Sequence, residues 1–291
     1  MFVAIAPSCH GTQAYGSRTP RAIGIEVCSE RRALRVSPAK QDVRVAYDGR
    51  MSLRGRVRVE RFVRRRVETV RLIKNRREFL AHATIEPRDD LVRLGTRDYG
   101  GWTVAADLLD PRSTCYLAGI GEDITFDLHL IARFGCTVHA FDPVPRSQEY
   151  AAAATAHEPR FVLHPYGLWS RDDTLHFHAP DIAGHISHSA TNLKATQVAF
   201  DAPVRAVRSV LDELGHDRID LLKLSVEGSE YAILDHVLDE AIPARMLCVE
   251  YAQPVPLERI ETSVSRLQDA GFDLTDAMII PWGWKVTYVA R

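Results

Sequence analysis

Apolar positions along the chain change period repeatedly, and each change marks an element. Cys115 to Leu117 is a short apolar run, Ile124, Leu128 and Ile131 recur at helical spacing, and a second apolar run ends at Asp142. Gly119-Ile120-Gly121 lies between the first run and the helix, so Thr114 to Pro143 predicts strand, tight turn, helix, strand and a terminal acid. Next come an Ala-rich helix over Ser147 to His157 and a third strand over Arg160 to Ser170, ending in Gly167-Leu168-Trp169. Thr174 to Phe177 and Pro203 to Val207 read as short extended pieces, and Ser209, with Asp212 three places on, reads as the cap of a short helix. Leu221, Leu222, Leu224 and Val226 predict a buried central strand that bends at Glu227-Gly228 into a helix carrying Ile233, Leu234, Val237 and Leu238. Ala244 to Tyr251 is a further strand, and Leu257 to Ala270 a helix stopped by Gly271. Phe272 to Ile280 and Lys285 to Ala290 close the chain as a hairpin around Pro281-Trp282-Gly283. Strands alternating with helices and finished by a hairpin predict an α/β fold, a mostly parallel sheet with an antiparallel last strand.

Upstream of these elements the text differs. Residues 1–50 show no sustained period and are sprinkled with Gly, Ser, Pro and Arg, which predicts a mobile leader, with Met51 as an alternative start. Between Arg54 and Leu80, Val59, Phe62, Val63, Val67, Val70, Ile73 and Leu80 fall at helical spacing among many arginines, predicting a basic amphipathic helix. Such a helix docks on its own domain, lies on an anionic membrane surface or touches nucleic acid. The lack of interleaved aromatic residues for base stacking argues against the last. Asp98 to Trp102 reads as a turn feeding a short strand, either a plain hairpin or a cover over the mouth of a binding site. The expected division is therefore a leader (1–50), a basic helical segment (51–88) and an α/β domain (89–291).

Composition sharpens this division. The net charge of −1 conceals 20 Lys and Arg against 8 Asp and Glu in residues 1–88, with the opposite balance beyond. Five cysteines form no C-x-x-C pair and leave one over, which suits a reducing cytoplasm rather than a disulfide framework. No apolar run approaches bilayer length, and Phe2 to Ala6 lacks the basic start and length of a signal peptide. The expected location is cytoplasmic, peripheral to the membrane if the basic helix engages lipid.

The candidate chemistry centres on residues 119–142. Gly119 and Gly121 let the backbone approach a ligand, and Asp142, some twenty residues on and followed by Pro143, can accept both hydroxyls of a ribose. A dinucleotide site would put a third glycine where Ile124 stands, so a pyrophosphate is not favoured; S-adenosylmethionine has a ribose and no phosphate. A parallel strand-helix-strand unit without ligand is the plainer alternative. Gly167 and Leu168, at the end of the third strand, are expected beside the adenine, and Gly101 and Trp102 at the mouth. Lys223 inside a buried strand needs a carboxylate, for which Glu227 and Glu230 are nearest in sequence, or a ligand. His176, His178, His185 and His188 match no zinc spacing, and no metal is expected.

On the motifs LGTRDYGGW, GIGEDITFD, FDPVP, HPYGLWS and DLLKLSVEGSE, in that order, the stretch from about Leu91 to Arg291 resembles FkbM-type, methyltransferase-like proteins of the class I S-adenosylmethionine-dependent fold. The resemblance implies a seven-stranded Rossmann-like sheet and cofactor contacts at Gly119, Gly121, Asp123 and Asp142. It further implies O-methylation of a sugar or natural-product hydroxyl. Two positions depart from the family pattern: Ser225 stands where an acid is common, and Leu117 where another acid often precedes the first glycine. Methyl transfer to a hydroxyl needs a base, and His188, Glu227 and Glu250 are the candidates, with Lys223 beside them. A small-molecule or glycolipid acceptor is expected. The rival readings are a non-catalytic cofactor-binding scaffold and a nicotinamide-dependent oxidoreductase, the latter disfavoured by Ile124 and the closing hairpin.

Overall fold

The computed structural model describes residues 24–27, 34–37, 84–97, 99–180, 184–252, 255–280 and 283–291. The chain divides into two units, Met1–Lys74 and Asn75–Arg291. In the first, two four-residue strands, β1 (Gly24–Val27) and β2 (Leu34–Ser37), pair antiparallel within the segment expected as a leader. The basic helix expected over 54–80 lies outside the described residues.

The second unit is built on seven strands: β5 (Thr114–Ala118), β6 (Thr137–Phe141), β7 (Phe161–His164), β11 (Leu221–Leu224), β12 (Met246–Ala252), β13 (Phe272–Ile280) and β14 (Gly283–Ala290). Their order across the sheet is β13-β14-β12-β11-β5-β6-β7, with β5, β6, β7, β11 and β12 parallel and β14 antiparallel to both neighbours. Central strands covered on both faces are mostly apolar, and all four residues of β11 and all seven of β12 are buried, with Lys223 and Glu250 the charged exceptions. The chain reverses direction between β5 and β11, so the carboxyl ends of these neighbours open a crevice, the place where such sheets bind ligands.

Among the described residues five helices cover the sheet: α1 (Thr125–Phe134), α2 (Pro145–Ala154), α3 (Val207–Leu214), α4 (Glu230–Asp239) and α5 (Leu257–Asp269). Cys115, Leu117, Leu221, Met246 and Cys248 share one face with Phe126, Leu130 and Ile131 of α1 and Ala151 of α2. The same face is covered at its far side by a hairpin of β3 (Leu91–Leu94) and β4 (Trp102–Ala105). Thr103 of β4 presents its carbonyl to Thr287 Oγ1 at 2.8 Å and to Cys248 Sγ at 3.5 Å. On the opposite face Tyr231 of α4 meets Tyr251 with ring centroids 5.5 Å apart. The buried residues of α1 are Phe126, Asp127, Leu130 and Ile131, so its inner face is rotated from the Ile124-Leu128-Ile131 stripe; Leu128 is half-buried.

Two expectations need correction. Arg160 to Ser170 is not one strand. After β7, Pro165 interrupts the ladder and the Tyr166 N–H turns back to the His164 carbonyl at 2.9 Å. Gly167–Trp169 then becomes β8 of a separate three-stranded sheet with β9 (Asp173–His178) and β10 (Val198–Ala206), in the order β8-β10-β9. Nor does Ser209 cap a helix. Strand β10 runs straight into α3 at Val207, Ala206 stands at the cap position, and its N–H is taken by Asp172 Oδ1 at 2.8 Å.

Candidate active site

At the carboxyl end of β5 the chain turns with Gly119 at φ +83° and Gly121 at φ +64°. A side chain on Gly119 would overlap the carbonyl oxygen of Ser225, because β5 and β11 close together there; a Cβ on Gly121 would meet only Ile186 Cδ1 at 3.6 Å and the Tyr99 hydroxyl at 3.7 Å. Asp142, at the tip of β6 and 4 % exposed, faces this bend. Its Oδ2 accepts from the Ile120 N–H at 2.8 Å and the Gly121 N–H at 3.3 Å, and its Oδ1 from the Val144 N–H at 2.8 Å. Burial pushes its pKa up against those hydrogen bonds. Pro143 lies against Gly167, whose Cβ position is 3.5 Å from the proline ring, and Leu168 is buried beside it. So β8, though displaced into the small sheet, still carries Gly167 and Leu168 to the Asp142 edge.

Asp123 is occupied differently. Its Oδ1 accepts from the Thr125 N–H at 2.9 Å and the Thr125 hydroxyl at 2.6 Å, and its Oδ2 from the Thr96 hydroxyl at 2.6 Å. Burial raises its pKa, but these bonds outweigh that and hold it below the usual carboxylate value. The carboxylate therefore covers the first free N–H of α1 and ties down the β3–β4 turn. In that turn Gly100 packs against Asp123, and Tyr99, half exposed, stands over Gly121. The turn is thus both a hairpin and a wall of the site.

From Ser225, just past the end of β11, a polar row runs across β12 and β14. Glu250 pairs in register with Lys285, its Oε2 accepts from the Ser225 hydroxyl at 3.1 Å, and Lys285 Nζ lies 3.9 Å from the same oxygen. Lys285 Nζ donates to the carbonyls of Tyr99 at 2.6 Å and Gly101 at 3.3 Å, and sits 4.5 Å from the Trp102 ring centroid. Burial lowers its pKa to about 8 although Glu250 favours its charge. The sequence pattern gave no reason to single out Lys285.

Lys223 does not pair with Glu227 or Glu230. It points to the α1 face beside Leu117, where its Nζ donates to the carbonyls of Gly119 and, at 3.4 Å, Ala118. Its charge partner is Asp127 of α1. Burial pushes that carboxyl up to about 6 while Lys223 pulls it down, and burial lowers the lysine in turn. Asp127 was legible as an acid three residues beyond Ile124 and four before Ile131, on a helical face that must be buried. Glu230 lies on the other face of the sheet, wholly buried, accepting from the N–H groups of Gly228 at 2.8 Å and Ala252 at 3.1 Å; burial pushes it up to about 8.

Glu227 takes φ +49°, a strained geometry for a residue with a Cβ, and its carbonyl is held by the hydroxyls of Ser189 at 2.6 Å and Thr191 at 3.4 Å. Its carboxylate lies 3.9 Å from Lys194 Nζ. His188 is turned to the small sheet, its ring 5.1 Å from that of Phe200 and its Nδ1 2.9 Å from the Ile186 carbonyl. Among the described residues no group of three or more His, Cys, Asp or Glu gathers in a way that would hold a metal ion, and no helix is long and apolar enough to cross a membrane.

Residues 117–273, more than half of the chain, match the family model described as "Methyltransferase FkbM domain". A Homo sapiens protein named "Probable methyltransferase-like protein 24" is 27% identical over 143 residues, 48% of this chain and 32% of that one. The protein of the same name from Rattus norvegicus is 32% identical over 127 residues, 44% of this chain and 29% of that one. The matched stretch spans about a third of the length of these relatives. Among solved structures, Aeropyrum pernix fibrillarin with natively bound S-adenosyl-L-methionine aligns at a TM-score of 0.39 and 9% identity, covering 62% of this chain and 68% of that one.

Proposed function

The chain belongs to the FkbM methyltransferase-domain family, and from that premise we propose that it moves the methyl group of S-adenosylmethionine to a hydroxyl of a sugar, glycolipid or secondary metabolite. When bound, that cofactor supplies a methyl already activated on a sulfonium. One observation carries the choice of cofactor. The amino terminus of α1, where a dinucleotide would rest its diphosphate, is covered by the Asp123 carboxylate, while the bend beside it is lined by Asp142. A phosphate would meet a carboxylate there; a ribose without one meets acceptors for its hydroxyls.

The residues then divide the work. Asp142 fixes the bend through Ile120 and Gly121, and Lys223 fixes it from below through the Gly119 carbonyl. Tyr99 and Ile186 limit access of water at Gly121. The acceptor proton must leave as its oxygen attacks, and the group we assign to receive it is Glu250. The Ser225 hydroxyl, bonded to Glu250 at 3.1 Å, relays that proton, and Lys285 Nζ stands on the other side, 3.9 Å from the same carboxylate oxygen. Glu227 and His188, facing Lys194 and Phe200, line the acceptor side instead. The arginine-rich segment at 54–80 would bring the protein to anionic lipid, where a lipid-linked acceptor is found.

Calorimetric titration of the full chain with S-adenosylmethionine tests this. Binding that is lost in Asp142→Ala is the expected result, and no binding to the wild type refutes it. Release of S-adenosylhomocysteine with glycan or glycolipid extracts tests turnover. Binding without turnover would favour a non-catalytic scaffold, to which the missing acid at Ser225 points.

A further inference from the structure

We propose that Lys285 is a positioning residue for the cofactor, holding the Tyr99–Trp102 turn against the site through its charge, so that cofactor affinity falls when that charge is lost. This rests on the cofactor reading above. The turn is fastened from several sides. Thr96 takes the Gly100 N–H at 2.7 Å and gives its hydroxyl to Asp123, and Arg93 donates to the carbonyls of Arg97 at 3.1 Å and Gly101 at 3.4 Å. From β14, Lys285 reaches across, donating to the carbonyls of Tyr99 and Gly101 and lying over the ring of Trp102.

An ammonium only 5 % exposed on a strand between Trp284 and Val286 is a costly choice, since an apolar side chain would fill the position without desolvating a charge. Its contacts give the reason: two carbonyls and an aromatic face favour the cation and hold a neutral amine much less strongly. The groups facing it are Glu250 on β12 and Asp123 before α1, which favour its charge, and Lys223 on β11 and Arg93 on β3, which oppose it. Tyr99, pushed above its usual value by partial burial, stays neutral. Burial outweighs the acids, and the lysine titrates near pH 8 rather than in the usual lysine range.

The test is the affinity of the full chain for S-adenosylhomocysteine, an alkali-stable probe, measured calorimetrically between about pH 6.5 and 9.5. Wild-type affinity should fall about tenfold or more across that range, the loss expected for a charge-assisted hydrogen bond. Lys285→Arg, which stays charged, should lose less affinity than the wild type towards the alkaline end. The α-amino group of the probe also gives up its proton there in both proteins, so only the difference between them belongs to Lys285. Lys285→Met should bind weakly at every pH with no added alkaline loss. Should the variants fail to fold, hydrogen exchange of the Thr96 and Gly100 amides in the wild type gives the same answer, protection dropping above about pH 8 beyond the intrinsic pH effect. Wild-type binding that matches both variants at every pH, or exchange that shows no such drop, overturns the role of Lys285 alone. Absence of wild-type binding at pH 6.5 overturns the cofactor reading and this inference together.

Discussion

Replacing His139 by phenylalanine should change the sign of its effect on stability between neutral and acid pH. His139 lies on β6, 7 % exposed, among Tyr116 of β5, His164 of β7 and His216 beyond α3, with ring centroids 4.9 to 5.5 Å away. Burial, helped by His164 and His216, lowers its pKa from 6.5 to about 4. The folded value lies below the unfolded one. The stability this group contributes is therefore complete above pH 6.5 and is lost as pH falls towards 4. At pH 5 the loss is about 2 kcal/mol, approaching about 3 kcal/mol in stronger acid. Phenylalanine escapes that loss but gives up the hydrogen bond between His139 Nδ1 and His164 Nε2 at 3.0 Å, a cost of about 1 kcal/mol. Urea denaturation of both proteins should then find the variant about 1 kcal/mol less stable at pH 7.5 and about 1 kcal/mol more stable at pH 5. Taking the difference cancels other titrating groups, such as Glu230 and Asp127, that both proteins share. A difference that stays constant with pH would refute the assignment of a buried neutral imidazole.

Gly119→Ala should cost about 3 kcal/mol or more and abolish cofactor binding, because the new methyl overlaps the Ser225 carbonyl at φ +83°. Gly271→Ala, at φ +93° with nothing within 4 Å, should cost only about 1–2 kcal/mol by the same denaturation assay. Glu230→Gln should remove a pH dependence of the opposite sign to that of His139. With its folded pKa raised to about 8, wild-type Glu230 costs stability as pH rises from 4.5 through 8, by as much as about 5 kcal/mol. A variant whose stability tracks the wild type across that range would show that the carboxyl is ionised in the fold.

What could be read from the sequence was what is local. The turn at Gly119 and the acid at Asp142 belong to one strand-helix-strand passage in which period and turn residues speak for themselves, and the hairpin of β13 and β14 announced its antiparallel end. Partners chosen by the third dimension were hidden. Glu227 and Glu230 are close to Lys223 in sequence, but the chain bends between them and α4 packs on the far face, so the lysine finds Asp127 from α1. The pairing of Glu250 with Lys285 depends on register, which no count of apolar residues supplies. The histidines that drew notice were those clustered in sequence, yet His176 lies exposed against Asp201 on the small sheet. The three that cluster, buried His139 with half-buried His164 and His216, come from separate elements. Pro165 carried a readable warning that the third strand stops early.

The sheet of β8, β9 and β10 has its own small core of Phe177, Ala202 and Val204, and is spliced between β7 and β11. It reaches the crevice through Gly167 against Pro143, Ile186 over Gly121, and Ser189 and Thr191 on the Glu227 carbonyl. Changes confined to this annex would therefore alter which molecule is admitted while the seven main strands keep their order and register.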